Sequence, residues 1–499
     1  MDFEFIYMAD YLFYILIVLS GSLILYWIFK KPLWVILGLL LLLPLHAFLL
    51  TSTKYFLALN SSQAAILAFW KEFILLGFFL KIICQSIISG KLPFKLTWYD
   101  YLLFGLLLLA ILINYFKGIP TLMTFFGIRY DFLLFATYLI FRSLPIKDEE
   151  FLKILKAIFW GGGVVILFGI LQKFLPADFL THFGYARITD WNPQNTLDLP
   201  AYHFIHETGT QRLQSFFSGP NSLGSYLVIL WGLSWFGLAR SSFRKSFWFF
   251  ATFIILIALL AFFTYSRAAW IVMLIFFGFF FLSLFKTMQI RILLGIFLIS
   301  IGLLGFYGLR DNFSENLVRG DTSLSGHWVR GAAALYLMKN HPEGLGVGTA
   351  GPSSLRFTEK FTEIPPQAYP EIAGYLKKIH IQTNPASFAF VLTGPLVPEN
   401  WFLQIGVELG ILGLGMFLAI ILGIYWAIYQ IYLKTKNFLY SEFVLTVLFI
   451  GISLLIHSLF LHTWSDAPTT ILFGALLGIV FSTNKEIFYG KTQNLRHKN

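Results

Sequence analysis

Two arginines lie at breaks between long apolar runs, where they could bind a phosphate group. Arg212 precedes the Gly-Pro-Asn turn that ends at Asn221, and Arg267 lies where two apolar runs are separated by a few residues. A guanidinium suits a diphosphate because its planar fork donates two hydrogen bonds and it stays charged. Free amides at a helix N-terminus also favour anions. The pair therefore indicates an anion site, although an interfacial anchor is the alternative for each arginine alone.

A second set of candidates belongs to a long polar stretch in the second half of the chain. Helix-forming residues at 328–339 predict a helix, with Ser325 as its N-cap and Pro342 just beyond its end. Arg330 lies in the first turns of this helix, and His327 lies beside its start. Both side chains are candidate hydrogen-bond donors to an anion.

A glycine-rich segment, Gly344–Gly351, follows the predicted helix. Glycine lets the backbone come close to a ligand, so this segment is a candidate for ligand contact. It does not match the Gly-Lys-Ser/Thr pattern of a phosphate-binding loop, and it does not match a dinucleotide fingerprint.

The polar stretch ends at Pro398, Glu399 and Asn400, after which an apolar run resumes. Proline disfavours helical geometry in the residue before it, so Glu399 and Asn400 should open the next membrane helix. The helix dipole stabilises a carboxylate at this position. The alternative to a functional role for Glu399 is therefore that it only stabilises the start of the helix. Glu408, further along the same run, is either a buried structural carboxylate or a second member of the site.

Two ionisable residues, Arg129 and Asp131, lie inside an apolar run. A charge at membrane depth is costly unless it is paired, so such residues are candidates for function. The alternative is that they lie near the outer end of the helix and snorkel, or contact a neighbouring helix. We therefore expect Arg129 either to line the site or to serve this structural purpose.

The elements that must position these residues are membrane helices. The chain of 499 residues is 58% hydrophobic and 12% charged, whereas about a quarter of the residues in a soluble domain are charged. About thirteen apolar runs approach the roughly 20 residues that a spanning helix needs. We predict an all-α, polytopic bundle of about 12–13 spans. The runs lie at 11–29, 33–50, 64–84, 98–116, 121–142, 154–174, 217–239, 246–264, 267–285, 291–308, 402–432, 440–461 and 468–483.

The placement of Lys and Arg predicts the orientation of the bundle, because short cytoplasmic loops are rich in basic residues. Basic clusters occur in alternate connections, which we therefore assign to the cytoplasm together with the C-terminus. The intervening connections then lie outside. Within residues 1–309 we predict membrane helices and an outer loop at 176–215. A large extracytoplasmic loop of short helices follows at 310–400, then further membrane helices at 401–484 and a cytoplasmic tail at 485–499.

The formal net charge of +11 does not indicate a nucleic-acid partner. The basic excess lies in the cytoplasmic connections, which face anionic lipid. A single cysteine, Cys84, excludes a disulfide framework and a cysteine-based metal site. His203 and His206 are close in sequence but lack a matching carboxylate or cysteine motif, so we expect no metal and no cofactor.

Several short motifs, taken together, resemble the O-antigen ligase and O-antigen polymerase superfamily. The resemblance covers most of the chain from about Arg129 to the C-terminus. The motifs are Arg212 with Gly219–Asn221, Ser266–Arg267, Asn340–Pro342 with Gly344–Gly348, and Glu399–Asn400 with Gln404 and Glu408–Gly410.

The resemblance implies a bacterial glycosyltransferase of the cytoplasmic membrane. Members use undecaprenyl-diphosphate-linked glycans as donors, and an acceptor sugar hydroxyl attacks the anomeric carbon. Such a reaction needs a base for the hydroxyl and cations for the leaving diphosphate. The acceptor is a glycan or a lipid-linked glycan, and membrane lipid is the other partner. The implied roles are catalytic base for Glu399, diphosphate binding for Arg212, Arg267 and Arg330, and support from His327, Asn221, Asn400, Gln404 and Arg129.

The sequence departs from the usual ligase pattern at two positions. Ligases of this superfamily usually carry His where Glu399 stands, and often Arg where His327 stands. Ligase and polymerase activity both remain open. A transporter or flippase for the same lipid-linked glycans is the alternative, and it predicts two similar halves and charges near the bilayer midplane. The sequence shows no internal repeat of that kind.

Overall fold

The protein is built almost entirely of helices. The structure, a computed structural model, describes residues 2–187, 201–204, 209–240, 244–283, 321–357, 364–378, 388 and 396–484. The helices are α1 Asp2–Lys30, α2 Pro32–Leu42, α3 His46–Phe56, α4 Ser61–Ala68, α5 Trp70–Ser89, α6 Trp98–Lys117, α7 Thr121–Ser143, α8 Asp148–Gln172, α9 Pro220–Ala239, α10 Arg244–Thr264, α11 Arg267–Ser283, α12 Asp321–Asn340, α13 Gly351–Ser354, α14 Tyr369–Lys378, α15 Trp401–Lys434, α16 Phe438–His457 and α17 Ala467–Thr483.

Among the described residues, ten helices are long and apolar enough to cross a membrane, one of them formed by α2 and α3 together. Two shorter apolar helices, α11 and α17, add to them. The expectation of an all-α polytopic membrane protein is thus confirmed. The predicted run at 291–308 and the tail at 485–499 lie outside the described residues.

The centre of the bundle is formed by α17, which packs along α7. Every residue from Ala467 to Ser482 is buried. Gly478 allows this close approach, because a Cβ there would lie 2.5 Å from Phe141 Cβ. Small residues serve this purpose in membranes, where packing rather than water exclusion holds helices together.

The connection between α8 and α9 contains little regular structure. It has a 3-10 helix at Phe179–Phe183 and a short parallel pair between β1, Ala186–Arg187, and β2, Ala201–Tyr202. Phe204 forms an isolated antiparallel bridge with Gln211. This bridge leads the chain directly to Arg212.

The long polar stretch contributes α12, α13 and α14, which lie at one end of the bundle. The side of the bundle that carries them is called the loop face below. Helix α12 begins at Asp321, so the prediction of Ser325 as its N-cap is wrong, because the helix continues one turn further towards the N-terminus. The helix ends at Asn340, before Pro342, as expected. Val329 on α12 and Ile372 on α14 belong to a small core that includes Val407 of α15.

The glycine-rich segment packs against membrane helices rather than leaving its backbone open to a ligand. Helix α15 is broken at Gly410, where φ is 70° and ψ is −173°. Leu345 N donates to Val407 O at 2.9 Å, and Ile411 N donates to Pro342 O at 2.9 Å. A break in a membrane helix is tolerated where neighbouring backbone supplies hydrogen bonds. The segment therefore fixes α12 and α15 relative to each other.

Candidate functional site

The loop face carries a cluster of three side chains: a carboxylate, a guanidinium and an imidazole. Glu399 receives a hydrogen bond from Arg330 Nη1 on Oε1. His327 Nδ1 lies 2.5 Å from Glu399 Oε2. His327 and Arg330 are three residues apart on α12, so they share one face of that helix. The structure thus brings together three residues singled out in the sequence, and the three are called the Glu399 cluster below.

The backbone around Glu399 is held firmly. Asn400 caps α15, since its Oδ1 accepts from Leu403 N at 3.0 Å, and its Nδ2 donates to Leu459 O at 3.0 Å. Trp401 is 2% exposed, and its backbone N donates to Ser458 O at 3.0 Å. The predicted start of a membrane helix at this point is correct, and Asn400 has a structural role in it.

Glu399 itself adopts a left-handed backbone conformation, with φ of 51°. This conformation costs a non-glycine residue roughly 1–2 kcal/mol. Ser215 and Tyr265 also have positive φ, at 50° and 52°. Glu399 is itself a predicted site residue, and Ser215 and Tyr265 lie within three residues of Arg212 and Arg267, whereas Ala58, with φ of 48°, lies near none. Backbone strain of this kind is concentrated at functional sites.

Glu399 is an ionised carboxylate at neutral pH. Burial by itself would raise the pKa of Glu399, but the hydrogen bond from His327 and the electrostatic interactions with His327 and Arg330 lower it to about 2. A carboxylate with so low a pKa is a weak proton acceptor. It is well suited to hold and orient the groups that donate to it.

A further histidine, His462, lies beside the Glu399 cluster and was not singled out in the sequence. It belongs to the connection between α16 and α17, and Glu399, Arg330 and His327 all act on it electrostatically. Both ring nitrogens are buried and have no hydrogen-bond partner among the residues that the structure describes. Burial lowers the pKa of His462 to about 4, so the ring is neutral at pH 7. No motif in the sequence marks this residue, because its neighbours in space are distant in the chain.

Arg212 is buried and holds the backbone at the α10–α11 turn. The residue is only 6% exposed. Nε donates to Thr264 O at 2.9 Å, and Nη2 donates to Asn221 Oδ1 at 3.0 Å. These contacts pin the turn before Arg267 to the N-terminus of α9. The role of Arg212 and Asn221 in binding an anion stays a prediction.

Arg267 is the more accessible of the two arginines. It is the first residue of α11 and is half-buried. Its side chain makes no hydrogen bond or ion pair with any residue that the structure describes, so its fork is available to a ligand. The neighbouring Ser266 Oγ is buried, and no described residue forms a hydrogen bond with it. An uncommitted guanidinium beside a helix N-terminus is the arrangement that binds a phosphate group.

The connection between α16 and α17 lies against both the start of α9 and the Glu399 cluster. Asp466, which caps α17, accepts a hydrogen bond from Thr469 Oγ1 at 2.7 Å and lies beside Ser222 at the start of α9. Burial raises the pKa of Asp466 to about 6. The same connection carries His462 beside Glu399. Asp466 followed by proline is a helix-start signal, but its pairing with α9 is not visible in the sequence.

Arg129 lies in a buried polar network between α5 and α7. Its Nε donates to Glu72 Oε1 at 2.7 Å. Lys71, which is fully buried, lies 3.2 Å from Glu72 Oε2 and 3.0 Å from His46 Nε2. Arg129 is therefore paired with a neighbouring helix, as the structural alternative expects. The adjacent residues Lys71 and Glu72, inside an apolar run, are the feature of the sequence from which this network could have been predicted.

Gln404, Glu408 and Asp131 form a second buried group beneath the glycine-rich segment. Gln404 Nε2 donates to Asp131 Oδ1 at 3.1 Å. Glu408 Oε1 accepts from Gly348 N and Ala350 N, each at 3.0 Å. All three side chains are buried. The structural interpretation of Glu408 fits this arrangement, and Gln404 contributes to the same packing.

Fold and site together define a class: a multi-pass membrane protein with an ionised carboxylate and arginines gathered at one face. No group of three or more potential metal ligands is found among the described residues. Residues 251–418, about a third of the chain, match the family model described as O-antigen ligase. This match supports the superfamily that the motifs indicate, and the matched residues include Arg267 and the Glu399 cluster. A comparison with curated proteins gives no match.

Proposed function

We propose that the protein transfers a glycan from undecaprenyl diphosphate to a sugar hydroxyl of an acceptor. The reaction takes place at the loop face, which we assign to the outer side of the bacterial cytoplasmic membrane. The observation that carries the proposal is the Glu399 cluster, in which a carboxylate, an imidazole and a guanidinium meet where a membrane helix begins. Such a group can accept a proton and stabilise a leaving anion at one place.

The roles follow from the chemistry of the donor. The acceptor oxygen attacks the anomeric carbon, and the bond to the lipid diphosphate breaks with its electron pair on the phosphate oxygen. Arg330 and Arg267 supply positive charge to that oxygen, and Arg212 holds the turn that presents Arg267. The proton of the hydroxyl passes to the pair formed by Glu399 and His327. Arginines provide the positive charge, so the proposal requires no metal.

Two acceptor classes fit this site. With a second lipid-linked glycan as acceptor the protein acts as a polymerase, and with a different lipid or glycan it acts as a ligase. Supplying each acceptor separately distinguishes them. Lengthened lipid-linked glycan indicates a polymerase, and glycan on the second acceptor indicates a ligase.

The test uses the purified protein in lipid vesicles with lipid-diphosphate-linked glycan and an acceptor. We expect one lipid diphosphate to be released for each glycan transferred. Glu399→Gln should lower turnover at least about 100-fold while donor binding persists, because the amide keeps the size of the side chain but loses its charge.

Glu343→Gln is the matched control, because Glu343 is exposed and pairs with Lys117, at the end of α6, at 2.6 Å. It should retain wild-type turnover. Near-normal turnover of Glu399→Gln would contradict the assignment of the site. Movement of a labelled donor across the bilayer, with no new glycosidic bond, would favour a transporter instead.

A further inference from the structure

We propose that His327 Nε2 is the atom that takes the proton from the acceptor hydroxyl, and that Glu399 is the positioning residue that orients the His327 ring. This inference rests on the proposed function and divides the work of the Glu399 cluster between its members. It reverses the assignment suggested by the sequence, in which Glu399 is the base.

The tautomer of His327 follows from its partner. An ionised carboxylate only accepts hydrogen bonds, so Nδ1, at 2.5 Å from Glu399 Oε2, must carry a proton. In a neutral imidazole the other nitrogen, Nε2, then bears the lone pair. Nε2 makes no hydrogen bond with any of the described residues. The His327 side chain is 36% exposed, so the ring is accessible to an incoming hydroxyl.

Glu399 is less suited to take the proton itself. One oxygen is engaged by Arg330 and the other by His327, so each oxygen already accepts a hydrogen bond from a side chain. A carboxylate that orients an imidazole and stabilises the imidazolium is the arrangement known from catalytic triads. Glu399 has a left-handed backbone conformation at the point where its carboxylate contacts α12.

The other titratable or charged groups around His327 do not replace it. Arg330, on the same helix, stays protonated and has no lone pair to offer. His462 faces the cluster from the connection between α16 and α17, but both its ring nitrogens are buried. Neither residue therefore presents a basic atom to an acceptor at the surface of the cluster.

The step balances as follows. The acceptor O–H bond breaks, its proton joins Nε2, and the oxygen forms the new bond to the anomeric carbon. The bond from that carbon to the lipid diphosphate breaks, and the electron pair leaves with the diphosphate. His327 becomes an imidazolium that Glu399 stabilises, and it returns its proton to water or to the departing diphosphate.

The experiment compares His327→Gln with a matched control, His341→Gln. His341 also lies near a glutamate, at 3.7 Å from Glu343, but this pair is exposed and lies at the other end of α12. We expect His327→Gln to lower turnover at least about 100-fold with donor binding kept, and His341→Gln to match the wild type. In His327→Ala, added imidazole should restore part of the turnover as its concentration rises, and it should not restore Glu399→Gln.

A double variant tests whether Glu399 acts through His327. If it does, adding Glu399→Gln to His327→Gln lowers turnover little further, because residues that act as a unit are not additive. Turnover of His327→Gln within about threefold of wild type, with Glu399→Gln inactive, would show that Glu399 is itself the base.

Loss of donor binding in both His327 variants would assign the ring a structural role and would also overturn the inference. Absence of transfer by the wild-type protein, with either acceptor class, would instead refute the proposed function. The two failures are therefore distinguishable.

Discussion

At the scale of single residues, burial and pairing separate arginines that look alike in the sequence. Arg212 is buried and donates to backbone carbonyls, whereas Arg267 is half-buried and has no partner among the described residues. Arg330 pairs with Glu399, and Arg129 pairs with Glu72. The same guanidinium chemistry thus serves packing at some positions and is available to a ligand at others.

This contrast predicts different results for the same substitution. Arg267→Lys should lower turnover about 10- to 100-fold, which corresponds to losing a charged hydrogen bond of about 1.5–3 kcal/mol, while the Tm stays unchanged. Arg212→Lys should lower the Tm as well, because an ammonium cannot reach both Thr264 O and Asn221. Arg356→Lys is the control, since Arg356 is an exposed arginine on the loop face. Turnover in detergent-stable protein and thermal melts check all three, and full activity of Arg267→Lys would refute its role.

At the scale of elements, the site depends on how the glycine-rich segment locks α12 against the bundle. Gly348 has φ of 92°, and a Cβ there would lie 2.5 Å from Met123 O of α7. Gly344 faces the carbonyl of Glu408 at the same distance. These contacts, with the break at Gly410, set the position from which His327 and Arg330 reach Glu399.

We therefore expect Gly348→Ala to destabilise the protein by more than about 1 kcal/mol, since alanine is strained at positive φ and the added methyl group would overlap α7. Turnover should fall with it, because α12 would shift relative to Glu399. Gly374→Ala is the control, because Gly374 lies in α14 with no atom within 4 Å of an added Cβ. That variant should be neutral or more stable by up to about 1 kcal/mol. A Tm for Gly348→Ala equal to that of the wild type would contradict this prediction, because it would show that the segment can accommodate the methyl group.

At the scale of the whole molecule, the described part of the bundle exposes many large apolar side chains and carries the Glu399 cluster at one end. Large apolar side chains are exposed along α1, α5, α6 and α8. A soluble protein rarely exposes so much apolar surface, and lipid is what covers it here. A site at the end of a membrane helix is reached both by a donor whose lipid tail stays in the bilayer and by an acceptor from water.

The orientation of this end is tested by cysteine labelling of intact cells. In a Cys84→Ser background, Ala373→Cys lies exposed on α14 and Lys436→Cys lies exposed between α15 and α16. An impermeant thiol reagent should label position 373 and not position 436, because basic connections stay in the cytoplasm. Both positions should react after the cells are permeabilised. Labelling of position 436 alone would reverse the assigned topology.

The sequence by itself determined the membrane class and the places where the chain leaves the bilayer. Hydropathy is a property of consecutive residues, so runs such as 121–142 and 402–432 correspond to α7 and α15 in the structure. The helix ending before Pro342 and the helix start after Glu399 were predictable for the same reason, because proline and capping residues act on their immediate neighbours. The start of α12 was predicted wrongly because propensity places helix ends poorly.

Only the tertiary structure decided which of the candidate side chains are partnered. Gln404 and Asp131 are 273 residues apart, and Arg330 and Glu399 are 69 residues apart. No local pattern encodes such pairs, because they form only when helices distant in sequence pack side by side. The same packing buries the ring nitrogens of His462 next to Glu399 and leaves the His327 side chain partly exposed. The sequence therefore supplied the chemical groups, and the packing of α12 onto the start of α15 decided which of them lie together.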